Sequence, residues 1–261
     1  MTADRWTRTV RQQLGLGRLL PLGGPRDGAW IFERAAGTVL RRAVARAEPG
    51  IRLDGLRIAL AAPEEAVEPV VPAPPSALPP GSLRVTARFA ATAAEPLPVT
   101  ADRLRAVLSR AAAERIGLVV TEVDLGVTEL LDAEAGPAGP AAESGPGSAA
   151  DGPGDAPFEG RGGTPTEVPE SGGGSDEDRV AAAALAVPGV SRLTGALGRA
   201  VHLAPSPQTP DGVALTGRHA RVDLAVGADH RALDVARAVR AAVSAALPDR
   251  PTVAVLVTAV D

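Results

Sequence analysis

Residues 133–178, near the middle of the chain, place the strongest limit on what the protein can fold into. They consist of Gly, Pro, Ala, Ser and acidic residues with almost no large apolar side chain. Such a segment cannot bury enough apolar surface to offset the entropy lost when its backbone is ordered. We therefore interpret it as a disordered acidic linker that divides the 261-residue chain into two small folded parts.

The part before the linker, residues 29–132, has the periodicity of a small α+β unit. Apolar residues recur at helical spacing in two segments and alternate with polar residues from Leu83 onward. A Pro-rich loop, residues 63–80, interrupts the unit, because proline is excluded from helix interiors and central strands. The predicted elements are a helix over Glu33–Ala47, a strand over Leu56–Leu60, a strand over Leu83–Phe89, a helix over Ala101–Ile116 with Thr100 as its N-cap, and a strand over Val119–Leu131.

The part after the linker, residues 179–261, repeats this order of elements. A connector with three prolines stands where the first unit has its longer Pro-rich loop. The predicted elements are a helix over Arg179–Ala186, a strand over Val201–Ala204, a strand over Ala220–Val226, a helix over His230–Leu247 and a strand over Val253–Ala259.

Both units therefore follow the order helix, strand, connector, strand, helix, strand. An ordered match of this kind indicates an internal duplication. The predicted fold class is α+β, with two tandem units. In each unit we expect the helices to lie on one face of a three-stranded, mostly antiparallel sheet.

Composition and charge limit the possible partners. Aromatic residues make up only 2% of the chain, so the cores must be built from small aliphatic side chains and are marginal unless the units associate. The net charge of −4 combines a strongly acidic linker with mildly basic flanking parts. Nucleic-acid binding is disfavoured because it needs a concentrated basic face. We expect a protein partner or self-association instead.

The N-terminal segment, residues 1–28, has the pattern of a basic amphipathic helix. An apolar stripe lies among arginines, and such a helix can lie on an anionic membrane or dock on a protein surface. Both interpretations are open at this point. We find no secretory signal and no apolar run long enough to span a bilayer, which predicts a cytoplasmic or membrane-peripheral protein. The candidate contact residues are Trp6, Val10, Leu14, Arg5, Arg8 and Arg11.

The second unit resembles the alkaline-shock or Gls-type envelope stress response family. The motifs that carry the resemblance are VPGV at 187–190, RVDLAV at 221–226, the helix DVARAVRAAVSAAL at 234–247 and the closing strand TVAVLVTAV. The whole chain is also similar to uncharacterised GC-rich bacterial proteins that sometimes carry a nucleopolyhedrovirus-type family label, which implies no mechanism. Pro248 to Pro251 replace the family's usual Gly-containing turn.

This resemblance implies a cytoplasmic protein that acts at the inner face of the envelope by self-association and by binding a membrane partner. No residue set in the sequence indicates catalysis. The chain has no Cys, and His202, His219 and His230 lack the spacing of metal sites. Asp223 and Asp229 lie near histidines in the sequence, which chance explains in a chain with 31 acids. We therefore predict a non-enzymatic interaction or scaffold protein with no cofactor and no metal.

The alternative is an RNA-binding module. Gly195–Ala196–Leu197–Gly198, followed by Arg199, is similar to the GxxG loop of KH modules. The absence of Lys and the scarcity of aromatic residues for base stacking count against it.

Overall fold

The fold is α+β, with nine strands in two mixed sheets and four α-helices in the part of the chain that the structure describes. A computed structural model describes residues 17–131, 175–205 and 217–261. In chain order the elements are β1 (Leu19–Pro21), β2 (Ala29–Phe32), α1 (Glu33–Ala47), β3 (Ile51–Leu60), a 3-10 turn (Pro63–Glu65), β4 (Leu83–Thr92), α2 (Leu97–Ala111), a π-helical turn (Ala112–Ile116), β5 (Val120–Leu131), α3 (Asp176–Leu185), β6 (Val190–Leu193), β7 (Val201–Pro205), β8 (Arg218–Val226), α4 (Ala232–Ala246) and β9 (Thr252–Val260).

The first sheet contains β3, β4 and β5, with β4 in the centre. Leu83, Val85, Ala87 and Phe89 of β4 are buried, while the residues between them are partly or fully exposed, as the predicted alternation requires. Strand β3 runs antiparallel to β4, and β5 runs parallel to it.

The second sheet has the order β1, β2, β9, β8, β6, and β7 also pairs with β8. Strands β6 and β7 pair with successive parts of β8, at residues 224–226 and 218–222. Strand β9 runs parallel to β8, and five consecutive residues of it, 253–257, are buried. A continuous buried run of this kind is typical of a strand covered on both faces.

The α+β class is as predicted, but both sheets are mixed, and the second has six strands where three were predicted. Strands β4 and β5 are parallel in the first sheet, and β9 is parallel to both β8 and β2 in the second. A helix connects β4 to β5 and another connects β8 to β9, and both pairs are parallel. A helical crossover returns the chain to the same end of the sheet, so the next strand runs in the same direction. The two units share this order of elements, but their common origin stays a prediction.

Residues 19–32 belong to the sheet of the second unit, although they precede the first unit in the sequence. Strand β2 runs parallel to β9, with Trp30 opposite Leu256, and the Val255 amide donates to the Gly28 carbonyl at 3.0 Å. The guanidinium of Arg237 in α4 binds the Asp27 carboxylate at 2.8 and 3.1 Å. The predicted boundary at residue 28 therefore falls inside an ordered segment, because β1 pairs with β2, and β9, the other partner of β2, lies more than 200 residues away in the sequence.

The Pro-rich loop packs on this same segment and forms no strand of its own. The Leu78 amide donates to the Leu19 carbonyl at 2.8 Å, and the Val70 amide donates to Pro25 at 2.9 Å. The indole of Trp30 donates to the Leu78 carbonyl at 3.4 Å. The loop therefore holds residues 19–30 against the body of the protein.

Several predicted boundaries differ from the structure. Helix α2 begins at Leu97, and Thr100 is buried inside its first turn instead of capping it, because Pro98 occupies one of the first two positions, where proline is favoured. Helix α3 begins inside the predicted linker, where Ser175 and Asp178 form a capping box. Strand β6 was not predicted. The rest of the predicted linker, residues 133–174, lies outside the described residues.

One hydrophobic core includes residues of both units. The two units approach closely at Gly117, which ends the π-helical turn with φ of +95°. A Cβ at this position would lie 2.4 Å from the Cβ of Leu233 in α4. Glycine is therefore required here both by the backbone conformation and by the contact.

Ile31 in β2 tests the assignment of this segment to the second sheet. It is fully buried, so Ile31→Ala is expected to lower the free energy of unfolding by about 2–5 kcal/mol. Hydrogen exchange measured by NMR should show faster exchange of the Val255 amide. Ile58→Ala, at an equally buried site in β3, is the control. Unchanged exchange at Val255 in Ile31→Ala would contradict the pairing of β2 with β9.

Candidate functional site

A groove lies between α1 and α2 and closes against the end of β9. We call it the arginine groove. Its cavity volume is about 520 Å³. It is lined by Val39, Arg42, Ala43, Arg46, Ala47, Glu48, Arg103, Ala106, Val107, Arg110, Ala111, Glu114, Arg115, Ala228 and Val260.

The amphipathic pattern of the two helices produces the apolar floor of the groove. Helix α1 buries Leu40 and Val44, and α2 buries Leu104 and Leu108. The adjacent positions, among them Val39, Ala43 and Val107, are only partly buried and pack at the edge of the core. These small and β-branched side chains leave space between the helices that the core does not fill.

Five arginines and two glutamates contribute charge to the lining. Arg42 donates to the Val260 carbonyl at 3.2 Å, and Arg103 binds Glu48 at 3.2 Å and Glu95 at 2.7 Å. Arg46, Arg110 and Arg115 have no hydrogen bond or ion pair with any residue that the structure describes.

Most other surface arginines have acidic partners. Arg218 binds both carboxylate oxygens of Asp249 at 2.7 and 2.8 Å and also contacts Asp176. Hydrogen bonds from Arg218 hold the pKa of Asp249 below its ordinary value. The arginine groove differs because cationic groups outnumber the acids around an apolar floor. Chemically, this arrangement suits a ligand with a negative charge and an apolar part.

Strand β5 forms an open edge of the first sheet. It is 12 residues long and pairs only with β4 among the described strands. Val127 and Leu130 on this strand are 47% and 54% exposed. Strand β9, which has the corresponding place in the second unit, pairs with β8 on one side and with β2 on the other.

The Gly195–Gly198 turn lies between β6 and β7, and the Asp223 side chain of β8 hydrogen-bonds to it. The Asp223 carboxylate is fully buried and accepts hydrogen bonds from the Leu197 amide and the Arg221 guanidinium, both at 3.2 Å. The Gly198 amide donates to the Gly195 carbonyl at 3.0 Å. Two amides of the turn are thus already bonded, and a carboxylate lies beneath them, which does not favour a phosphate site.

The three histidines do not converge on one site. His202 and His219 lie on the neighbouring strands β7 and β8, and His230 precedes α4. The Nδ1 atom of His219 lies 2.9 Å from the hydroxyl of Thr252, and burial, the charge of Arg221 and His202 together lower the pKa of His219. Within residues 17–131, 175–205 and 217–261, no three His, Asp or Glu side chains are grouped so that they could hold a metal ion.

The six predicted contact residues, Trp6, Val10, Leu14, Arg5, Arg8 and Arg11, lie outside the described residues. Among the helices that the structure does describe, none has the length and apolar character needed to cross a membrane. Sequence reasoning missed the arginine groove. One sequence pattern could have indicated it. Arg42 and Arg46 on one helix, and Arg103 and Arg110 on another, are spaced so that each pair lies on one helical face.

Comparisons with known proteins found no matching protein-family model, no matching curated protein and no matching solved structure. What the protein binds is therefore inferred from its own residues, contacts and charges.

Asp223 gives a pH test of the 195–198 turn. Burial raises the pKa of Asp223 above its ordinary value of 3.8, so the folded state binds its proton more tightly than the unfolded state does. The contribution of Asp223 to the free energy of unfolding should be greatest at low pH and should fall as the pH rises above 3.8.

Urea denaturation over a pH series, for the natural chain and for Asp223→Asn, measures this contribution as a difference. We expect the stability of the natural chain relative to Asp223→Asn to decrease with rising pH. If the difference in the free energy of unfolding between the two proteins is constant or grows with pH, burial does not raise the pKa of Asp223.

Proposed function

We propose that the protein is a non-enzymatic interaction or scaffold protein that assembles through the open edge of β5. The observation that carries this proposal is the contrast between β5 and β9. The two strands have corresponding places in their sheets, and only β9 has a second strand paired along its outer side within the described part of the chain.

An open strand edge offers a row of backbone donors and acceptors to another strand. Pairing along such an edge is a common mode of protein association, and natural proteins that avoid it place Lys, Pro or a bulge on the edge. Strand β5 has no Pro, and its exposed Val127 and Leu130 offer apolar contact to a partner strand. Its register with β4 shifts at two points, and three acidic residues lie along it. The unpaired outer edge and these two exposed apolar side chains are the features of β5 that favour association.

The opposite edge of the same sheet is better protected. On the outer side of β3, the Ile58 amide donates to the Glu33 carboxylate at 2.9 Å, and the Ile58 carbonyl accepts from Arg18 at 3.0 Å. Backbone groups that are already bonded to side chains cannot pair with an added strand. We therefore place the association surface on β5.

The cellular setting of this proposal comes from the sequence. The resemblance of residues 180–261 to the alkaline-shock or Gls-type family supports a role in the envelope stress response, at the cytoplasmic face of the membrane. The basic amphipathic pattern of residues 1–28 supports a peripheral membrane contact.

Two lysines on β5 test the proposal. Val127→Lys/Leu130→Lys places charges on the edge, and the concentration needed for assembly should rise roughly 10-fold or more. Size-exclusion chromatography with light scattering over a concentration series, with and without anionic liposomes, measures assembly.

Thr86→Lys/Val99→Lys is the matched control, because it also adds two lysines at exposed positions but lies on the central strand and on α2. We expect the control to assemble like the natural chain. A natural chain that stays monomeric at every concentration, alone and with liposomes, would refute the scaffold proposal.

A further inference from the structure

We infer that the arginine groove binds a small anionic amphiphile, with a carboxylate or phosphate group held by the arginines and an apolar body lying between α1 and α2. This inference is independent of assembly at β5, because no residue of β5 lines the groove.

The floor of the groove fits the apolar part of such a ligand. Val39 and Ala43 of α1 face Val107 and Ala111 of α2 across the space, and Val260 closes one end. Burial of a hydrocarbon chain against these side chains removes apolar surface from water on both partners, which favours binding.

The arginines fit the anionic group. Guanidinium groups bind carboxylate and phosphate through paired hydrogen bonds, and Arg46, Arg110 and Arg115 have no acceptor among the described residues. Of the two acids in the lining, Glu48 is bound by Arg103, which leaves Glu114 as the one acid of the lining without a bonded arginine in the described structure. The positive charge is therefore in excess in the groove.

The size of the groove favours a small molecule over a polymer. A volume of about 520 Å³ lies within the usual range of small-ligand pockets. A nucleic acid or a long acidic peptide would need a basic track that continues beyond the helices. On the first sheet, Arg84 of the central strand β4 is already bound to Glu122, and Arg52 of the outer strand β3 is bound to Asp54 and Glu129.

Three probes distinguish the contribution of the charged head group to binding from that of the apolar chain. Decyl phosphate and decanoate carry an anionic head on an apolar chain, whereas decyltrimethylammonium carries the same chain with a cationic head. Each is titrated below its critical micelle concentration into the full chain, and methyl NMR signals of Val39, Val107 and Val260 report binding. We expect saturable shifts with at least one anionic probe and none with the cation.

Arg110→Gln/Arg115→Gln should weaken binding of the anionic probe roughly 10-fold or more, because it removes charge-assisted hydrogen bonds. Arg57→Gln/Arg88→Gln is the matched control, since it removes two exposed arginines of the first sheet. Ala43→Phe should also abolish binding by filling the floor. Retention of the natural amide spectrum shows that each variant is folded.

The comparison of decyl phosphate with decanoate identifies which head the arginines prefer. Equal shifts with the cationic probe, equal weakening by the control variant, or no saturable shift with either anionic probe would overturn the inference.

Discussion

The pairing of β2 with β9 is the interaction on which the rest of the structure depends. Strand β2 hydrogen-bonds to the last strand of the chain and continues at Glu33 directly into α1, without a connecting loop. The position of α1 is therefore fixed by the second unit, although its sequence belongs to the first. Arg42 of α1 consequently reaches the Val260 carbonyl, and the arginine groove has walls from both units.

Local elements were predictable because their signals lie within a few residues. The alternation of Leu83, Val85, Ala87 and Phe89 predicted β4, and the helical spacing over Glu33–Ala47 matched α1 at both ends. Strand direction was less predictable, because a strand–helix–strand order gives a parallel pair only where the two strands are neighbours in one sheet, and periodicity does not show which strands are neighbours. The pairing of β2 with β9 could not be predicted, because no local pattern in Ala29–Phe32 indicates a partner strand that begins at Thr252.

The same distinction applies to the binding surfaces. The Gly195–Gly198 turn was visible in the sequence, but the buried carboxylate of Asp223 beneath it was not, because alternation in β8 placed Asp223 on the polar face. The turn itself covers this face, so the Asp223 side chain is fully buried. For the arginine groove, the sequence shows where the arginines lie along the chain. It does not show which of them are ion-paired, because tertiary contacts determine that.

The intertwined order of the chain has a consequence for biosynthesis. The apolar strand β2 leaves the ribosome more than 200 residues before β9, the strand with which it pairs along one side. Until residues 252–260 emerge, β2 lacks the strand that covers one of its edges. Domains usually fold in the order in which they are synthesised, and long-range pairings form slowly. The segment before the first unit must therefore wait, with one edge of β2 unpaired, until residues 252–260 have been synthesised.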